Sequence, residues 1–119
     1  MAQTLAGILR ATSLENVIRF YVPKVKTHTK DFISEVSEIT GGCTVTNGEG
    51  HWGDCHEKVK VVEAYHNLNF EEKLTLFEAF GAFGQKAKQK ALAYCENNGA
   101  MMQFDPFSVR LPSQMEVNA

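Results

Sequence analysis

The sequence has little that would place it in a membrane, a secreted scaffold or a fibre. Its 119 residues include three prolines and three cysteines, with no Cys-x-x-Cys pair. No stretch approaches the roughly 18 consecutive apolar residues of a membrane span. Met1–Leu14 has no basic start and is interrupted by Arg10, unlike a signal peptide. An odd cysteine count without knuckle spacing points to reduced thiols in a cytoplasmic protein, with a Cys43–Cys55 bridge as the alternative. Neither charge sign dominates: 12 Lys and Arg against 14 Asp and Glu give −2, which disfavours a nucleic-acid partner. No repeat marks a solenoid. What is present is a composition near the globular average, in a chain of one-domain length. Residues 1–119 read as one α+β domain, with 112–119 as a frayed tail.

Residues 17–22 are β-branched and aromatic and stop at Pro23, which predicts a strand. Phe32, Ile33, Val36 and Ile39 then share a helical face over 30–40, with Thr29 as N-cap and Gly41-Gly42 as the stop. Residues 43–46 and 58–66 read as a hairpin around the glycine-rich turn 47–54. Asn69 and Glu72 form a capping-box pattern that opens a second helix, extending to 97 with Gly99 as its stop. A short strand follows at 100–104. Phe107, Val109 and Leu111 alternate, as an edge strand or a partner-binding arm would. The order β-α-β-β-α-β predicts a ferredoxin-like split arrangement, an antiparallel sheet with two helices on one face.

Two features predict a homo-oligomer. A helix over 70–97 would run about 42 Å, longer than strands of about 25–30 Å, so it overhangs its sheet or breaks near Gly81–Gly84. Strands 17–22 and 58–66 are also apolar on both faces, and a second copy is the simplest cover for the face without helices. Gly81 and Gly84 fall in the stripe of Phe70, Leu74, Phe77, Ala91 and Cys95, where missing side chains invite close packing. Phe83 lies off that stripe, in line with Tyr94, so Gly81, Phe83, Gly84 and Tyr94 are the expected oligomer contacts.

Gly41-Gly42-Cys43-Thr44, the turn ending Gly50-His51-Trp52, and Glu57-Lys58-Val59, preceded by Phe20-Tyr21-Val22-Pro23, resemble a pattern of small bacteriophage and mobile-element proteins. The resemblance implies a phage-type accessory protein acting in a host cytoplasm. It supplies no activity.

Cys43, His51, Asp54, Cys55 and His56 are metal-ligand types, but Cys55 and His56 are adjacent and point apart on a strand, so neither metal nor cofactor is expected. The four histidines lie outside any nucleophile-elbow or His-Glu-x-x-His context, and Gly81–Lys86 lacks the phosphate-loop spacing. Cations interleaved with aromatics are more suggestive. Arg19 and Tyr21 share one strand face; Lys58 and Lys60 join it if the strands pair, and Trp52 closes one side as a stacking platform. Arg19, Tyr21, Trp52, Lys58 and Lys60 are therefore the expected ligand site, for a host protein surface or a small anionic nucleotide held without turnover. A small, metal-assisted enzyme on the 43–56 hairpin is the alternative.

Overall fold

A computed structural model describes residues 5–109, apart from the side chains of Leu5, Ala6 and Trp52. After a four-residue helix, α1 (Leu5–Ile8), the order is β1 (Asn16–Pro23), α2 (Lys26–Thr40), β2 (Thr44–Trp52), β3 (Cys55–His66), α3 (Phe70–Lys86), β4 (Leu92–Glu96) and β5 (Met102–Phe104). All pairings are antiparallel in the order β2-β3-β1-β4-β5. The first four strands, with α2 and α3, make the ferredoxin-like α+β arrangement, and β5 extends it by a hairpin from β4. None of the described helices is long and apolar enough to cross a membrane.

Strand alternation sends Ile18, Phe20 and Val22 of β1 towards the helices, where all three are fully buried. Phe20 is the hub: its ring centroid lies 4.6 Å from Phe80 of α3 and 5.2 Å from Phe32 of α2. The buried α3 side chains in this core are Leu76, Phe80 and Phe83, spaced for one helical face, with Phe77 and Ala79 packed at its margin. Phe70 and Leu74, expected on that stripe, are 79% and 50% exposed.

The capping box forms as expected, Asn69 accepting from the Glu72 N–H and Glu72 from the Asn69 N–H. Gly41 closes α2 at φ +88°. Other boundaries differ. Helix α2 begins at Lys26, and Thr29, buried in its first turn, accepts from the Val25 N–H and donates to the Pro23 carbonyl. Residues 44–52 are strand, and the turn contracts to Gly53-Asp54, with Gly53 at φ +60° as a II′ turn requires.

The largest correction concerns 87–97. Helix α3 stops at Lys86, and Leu92–Glu96 is a strand paired with β1. Leu-Ala-Tyr-Cys alternates with Leu92 buried, a period-two signal lost inside the longer helical reading. At 17 residues α3 spans about 26 Å, matching an eight-residue β1 of about 27 Å, so no overhang remains.

The glycine notch is filled from within. A Cβ on Gly81 would sit 2.9 Å from Val109 Cβ, and one on Gly84 would overlap Pro106. Pro106 opens a 3-10 turn, Pro106–Ser108, and Val109 follows it, where an alternating arm was expected; Leu111 and 112–119 lie outside the described residues. Phe83 is 3% exposed and Tyr94 packs on Phe77 at 4.8 Å. Those four positions serve the interior rather than an outward contact surface.

Candidate functional site

The face of the sheet without helices is set by the other half of each strand's alternation. On β1 it carries Val17, Arg19 and Tyr21; register places Tyr65, Glu63 and Val61 of β3 directly opposite them. Cys95 and Ala93 of β4 pair with Arg19 and Tyr21 from the other side. Polar and apolar groups thus alternate across an open surface.

Arg19 Nε donates to Glu63 Oε2 at 2.6 Å, with both side chains 29% exposed. That bond, and a second to the Cys95 thiol, raise the guanidinium pKa further and keep it charged. Tyr21 Oη lies 3.9 Å from Cys95 Sγ. Burial and then the Cys95 contact hold the phenol above its usual range, so it stays protonated at neutral pH.

Beside this row lies a cleft of about 610 Å³, within the range typical of small-molecule sites. Tyr21, Pro23, Val59, Ala93 and Gln103 form its sheet side. Glu57 borders it from the β2–β3 ribbon, Lys90 from the loop after α3, and Met101 and Met102 from the start of β5. Its lining is mainly apolar, with two amides, an acid, a base and a phenol that can orient a ligand.

Of the expected site residues, the structure brings Arg19 and Tyr21 to this face. Lys58 and Lys60 go to the other. Register pairs Lys60 with Val22 and Lys58 with Glu49, so both share the helix-side parity, and Lys60 Nζ donates to Asn47 Oδ1 at 2.6 Å. The parity of β3 relative to β1 decides this, and a sequence does not print its register. Trp52 occupies the last position of β2; its side chain lies outside the described ones.

The residues missed are those of the β4–β5 hairpin. Ala93 was hidden by reading 87–97 as helix, which also left the expected 100–104 strand, with Met101, Met102 and Gln103, without its β4 partner; Lys90, placed on that helix, stands at the cleft instead. The signal available was the Leu92–Tyr94 alternation followed by the Asn97–Gly99 turn residues.

The hairpin offers less than its composition suggested. Cys43 lies at its root, 3.9 Å from the Ile33 carbonyl, while Cys55 pairs with Trp52 at its tip, so the Cys43–Cys55 bridge does not form. Burial raises the Cys43 pKa and keeps it a thiol. Among the described residues no three His, Cys, Asp or Glu side chains converge as a metal site would need.

No family model matches the chain, and no curated protein does. Two solved structures share its fold. A phage SAM lyase in its apo state aligns with TM-score 0.58 over 88% of this chain and 95% of that one, at 12% identity. A phage SAM lyase in complex with S-methyl-5'-thioadenosine aligns with TM-score 0.56 over 76% of this chain and 88% of that one, also at 12% identity.

Proposed function

We propose that this chain binds S-adenosylmethionine in the Tyr21–Ala93 cleft and cleaves it, as a phage-type accessory protein acting in a host cytoplasm. The observation that carries the reading is the fold correspondence with a SAM lyase over most of both chains, in a chain whose cleft of about 610 Å³ suits a nucleoside. Lys90 is the single cation among the cleft's lining residues. A polyphosphate would need more, whereas adenosine needs apolar walls and a few polar groups. Tyr21 and Glu57 supply a ring and a carboxylate that favour a sulfonium cation, and Lys90 can meet the ligand's carboxylate.

This substrate also removes the difficulty that the sequence carries no nucleophile–base set. It brings both reacting groups: a carboxylate nucleophile and a sulfonium leaving group. The carboxylate oxygen bonds to Cγ as the Cγ–S bond breaks, and that electron pair passes to sulfur. The products are neutral S-methyl-5'-thioadenosine and a five-membered lactone that retains the ammonium, with no proton or water consumed. What the protein contributes is the folded conformer in which carboxylate and Cγ meet, an orientation effect that can lower a barrier by several kcal/mol.

The test is turnover. Purified protein incubated with excess S-adenosylmethionine, then denatured and chromatographed, is expected to yield thioadenosine well beyond the molar amount of protein. Intact ligand recovered one-for-one with protein would instead support sequestration without turnover, and no retained or converted ligand overturns the reading.

A further inference from the structure

Strand β2 is the outer edge of the sheet for nine residues, Thr44–Trp52, and contains no proline or lysine. Natural edges of that length usually carry such guards against pairing with another chain. Gly53-Asp54 makes a two-residue turn closed by Trp52 and Cys55, so that pair is hydrogen-bonded. Counting back by twos, Gly50, Gly48, Thr46 and Thr44 turn their backbone groups towards β3. Val45, Asn47, Glu49 and His51 turn theirs outward.

We infer that this edge pairs antiparallel with β2 of a second copy, about a two-fold axis at Gly48. Gly48 is the midpoint of the strand, so this register aligns all nine residues. It places Asn47 opposite the partner subunit's Glu49 and Val45 opposite the partner subunit's His51, with every outward backbone group meeting a complement. The side chains agree. Asn47 Oδ1 is occupied by Lys60 Nζ at 2.6 Å, which leaves its amide N–H groups as donors for a carboxylate. Glu49 is 64% exposed and reaches only His51, at 3.6 Å, among its ion-pair partners in the described structure. Moving the axis to Glu49 would set two carboxylates face to face, which is unfavourable. Moving it to Gly50 would leave only five residues of each strand in register. At the axis two glycines meet in a non-hydrogen-bonded pair, the closer of the two antiparallel spacings, with no side chains to crowd it.

This surface differs from the Gly81–Tyr94 contacts and uses no ligand, so it stands or falls apart from the proposed activity. Light scattering of the full chain is expected to give twice the 13.3 kDa chain mass at micromolar concentration. Glu49→Pro removes an outward N–H without touching the β3 ladder, and is expected to halve that mass while the circular dichroism stays that of the folded protein. Should that variant not fold, crosslinking decides. In a Cys55→Ser background, Gly48→Cys is expected to oxidise to a covalent dimer, because a non-hydrogen-bonded pair about 4.5 Å apart suits a disulfide. A wild-type mass of one chain at all concentrations overturns the inference. So does a folded Glu49→Pro that remains dimeric, or crosslinking through Gly50→Cys in place of Gly48→Cys.

Discussion

Pro106 fills the space that a side chain on Gly84 would need. A Cβ there would sit 2.9 Å from Leu92 Cδ1 and nearer still to the proline ring. Leu92 opens the strand beside the cleft, so one glycine couples the end of α3, the turn at 106–108 and the cleft wall. Gln85 ties the same parts, its amide donating to the Pro106 and Val109 carbonyls at 2.9 and 3.2 Å.

Gly84→Ala is therefore expected to destabilise the protein despite alanine's better helix propensity. The propensity gain is about 1 kcal/mol, and overpacking a filled site costs about 1–3 kcal/mol. Urea unfolding should show an earlier midpoint; an unchanged or later one would mean that the turn yields freely.

Phe83→Glu should abolish folding. Phe83 is 3% exposed and its ring centroid lies 5.5 Å from Phe32, so the carboxylate would have no partner in the core. The expected loss is about 3–5 kcal/mol, enough to unfold a marginally stable domain. Lys73→Glu, which breaks a half-exposed pair with Glu96 at 2.8 Å, should cost about 1 kcal/mol or less. Circular dichroism separates them, and a folded Phe83→Glu protein would contradict the buried placement.

What the sequence disclosed follows from which signals are local. The capping box at Asn69–Glu72, the Gly41 stop and the alternation of Ile18, Phe20 and Val22 are written within a few residues, and each appears in the fold. The end of α3 is not written that way. The tightest contacts that explain Gly81 and Gly84 come from Val109 and Pro106, more than twenty residues later in the chain. The site was half legible for the same reason: Arg19 and Tyr21 follow from strand parity alone, whereas Lys58 and Lys60 depended on the β1–β3 register.

His66 should make stability fall in mild acid. It is 4% exposed, and its Nδ1 accepts from the Leu68 N–H at 3.1 Å. Burial, then Lys73, lower its pKa, with Glu96 opposing. The unfolded chain thus binds a proton that the folded chain resists. The resulting stability loss sets in as pH drops through about 6.5 and grows until the lower, folded pKa is reached. His66→Gln should flatten that part of the profile relative to wild type in urea titrations at several pH values. Parallel profiles would remove His66 as the cause.

Substitutions should sort by sheet face. Ala93→Trp fills the cleft and Tyr21→Ala removes its aromatic wall, and each is expected to weaken thioadenosine binding at least tenfold while the fold is kept. Lys58→Ala and Lys60→Ala, on the opposite face, should bind within twofold of wild type. Calorimetric titration makes the comparison; the reverse ranking would move the site to the helix side.

The most direct measurement is a titration of isotope-labelled protein with S-methyl-5'-thioadenosine, followed by amide chemical shifts. Binding in the cleft is expected to move Tyr21, Val59, Ala93 and Gln103 together along one saturable curve, leaving His51, His56 and Lys60 unmoved. Saturable shifts centred on the hairpin tip or on the Asn16–His66 end of the sheet, or none at millimolar ligand, would contradict it.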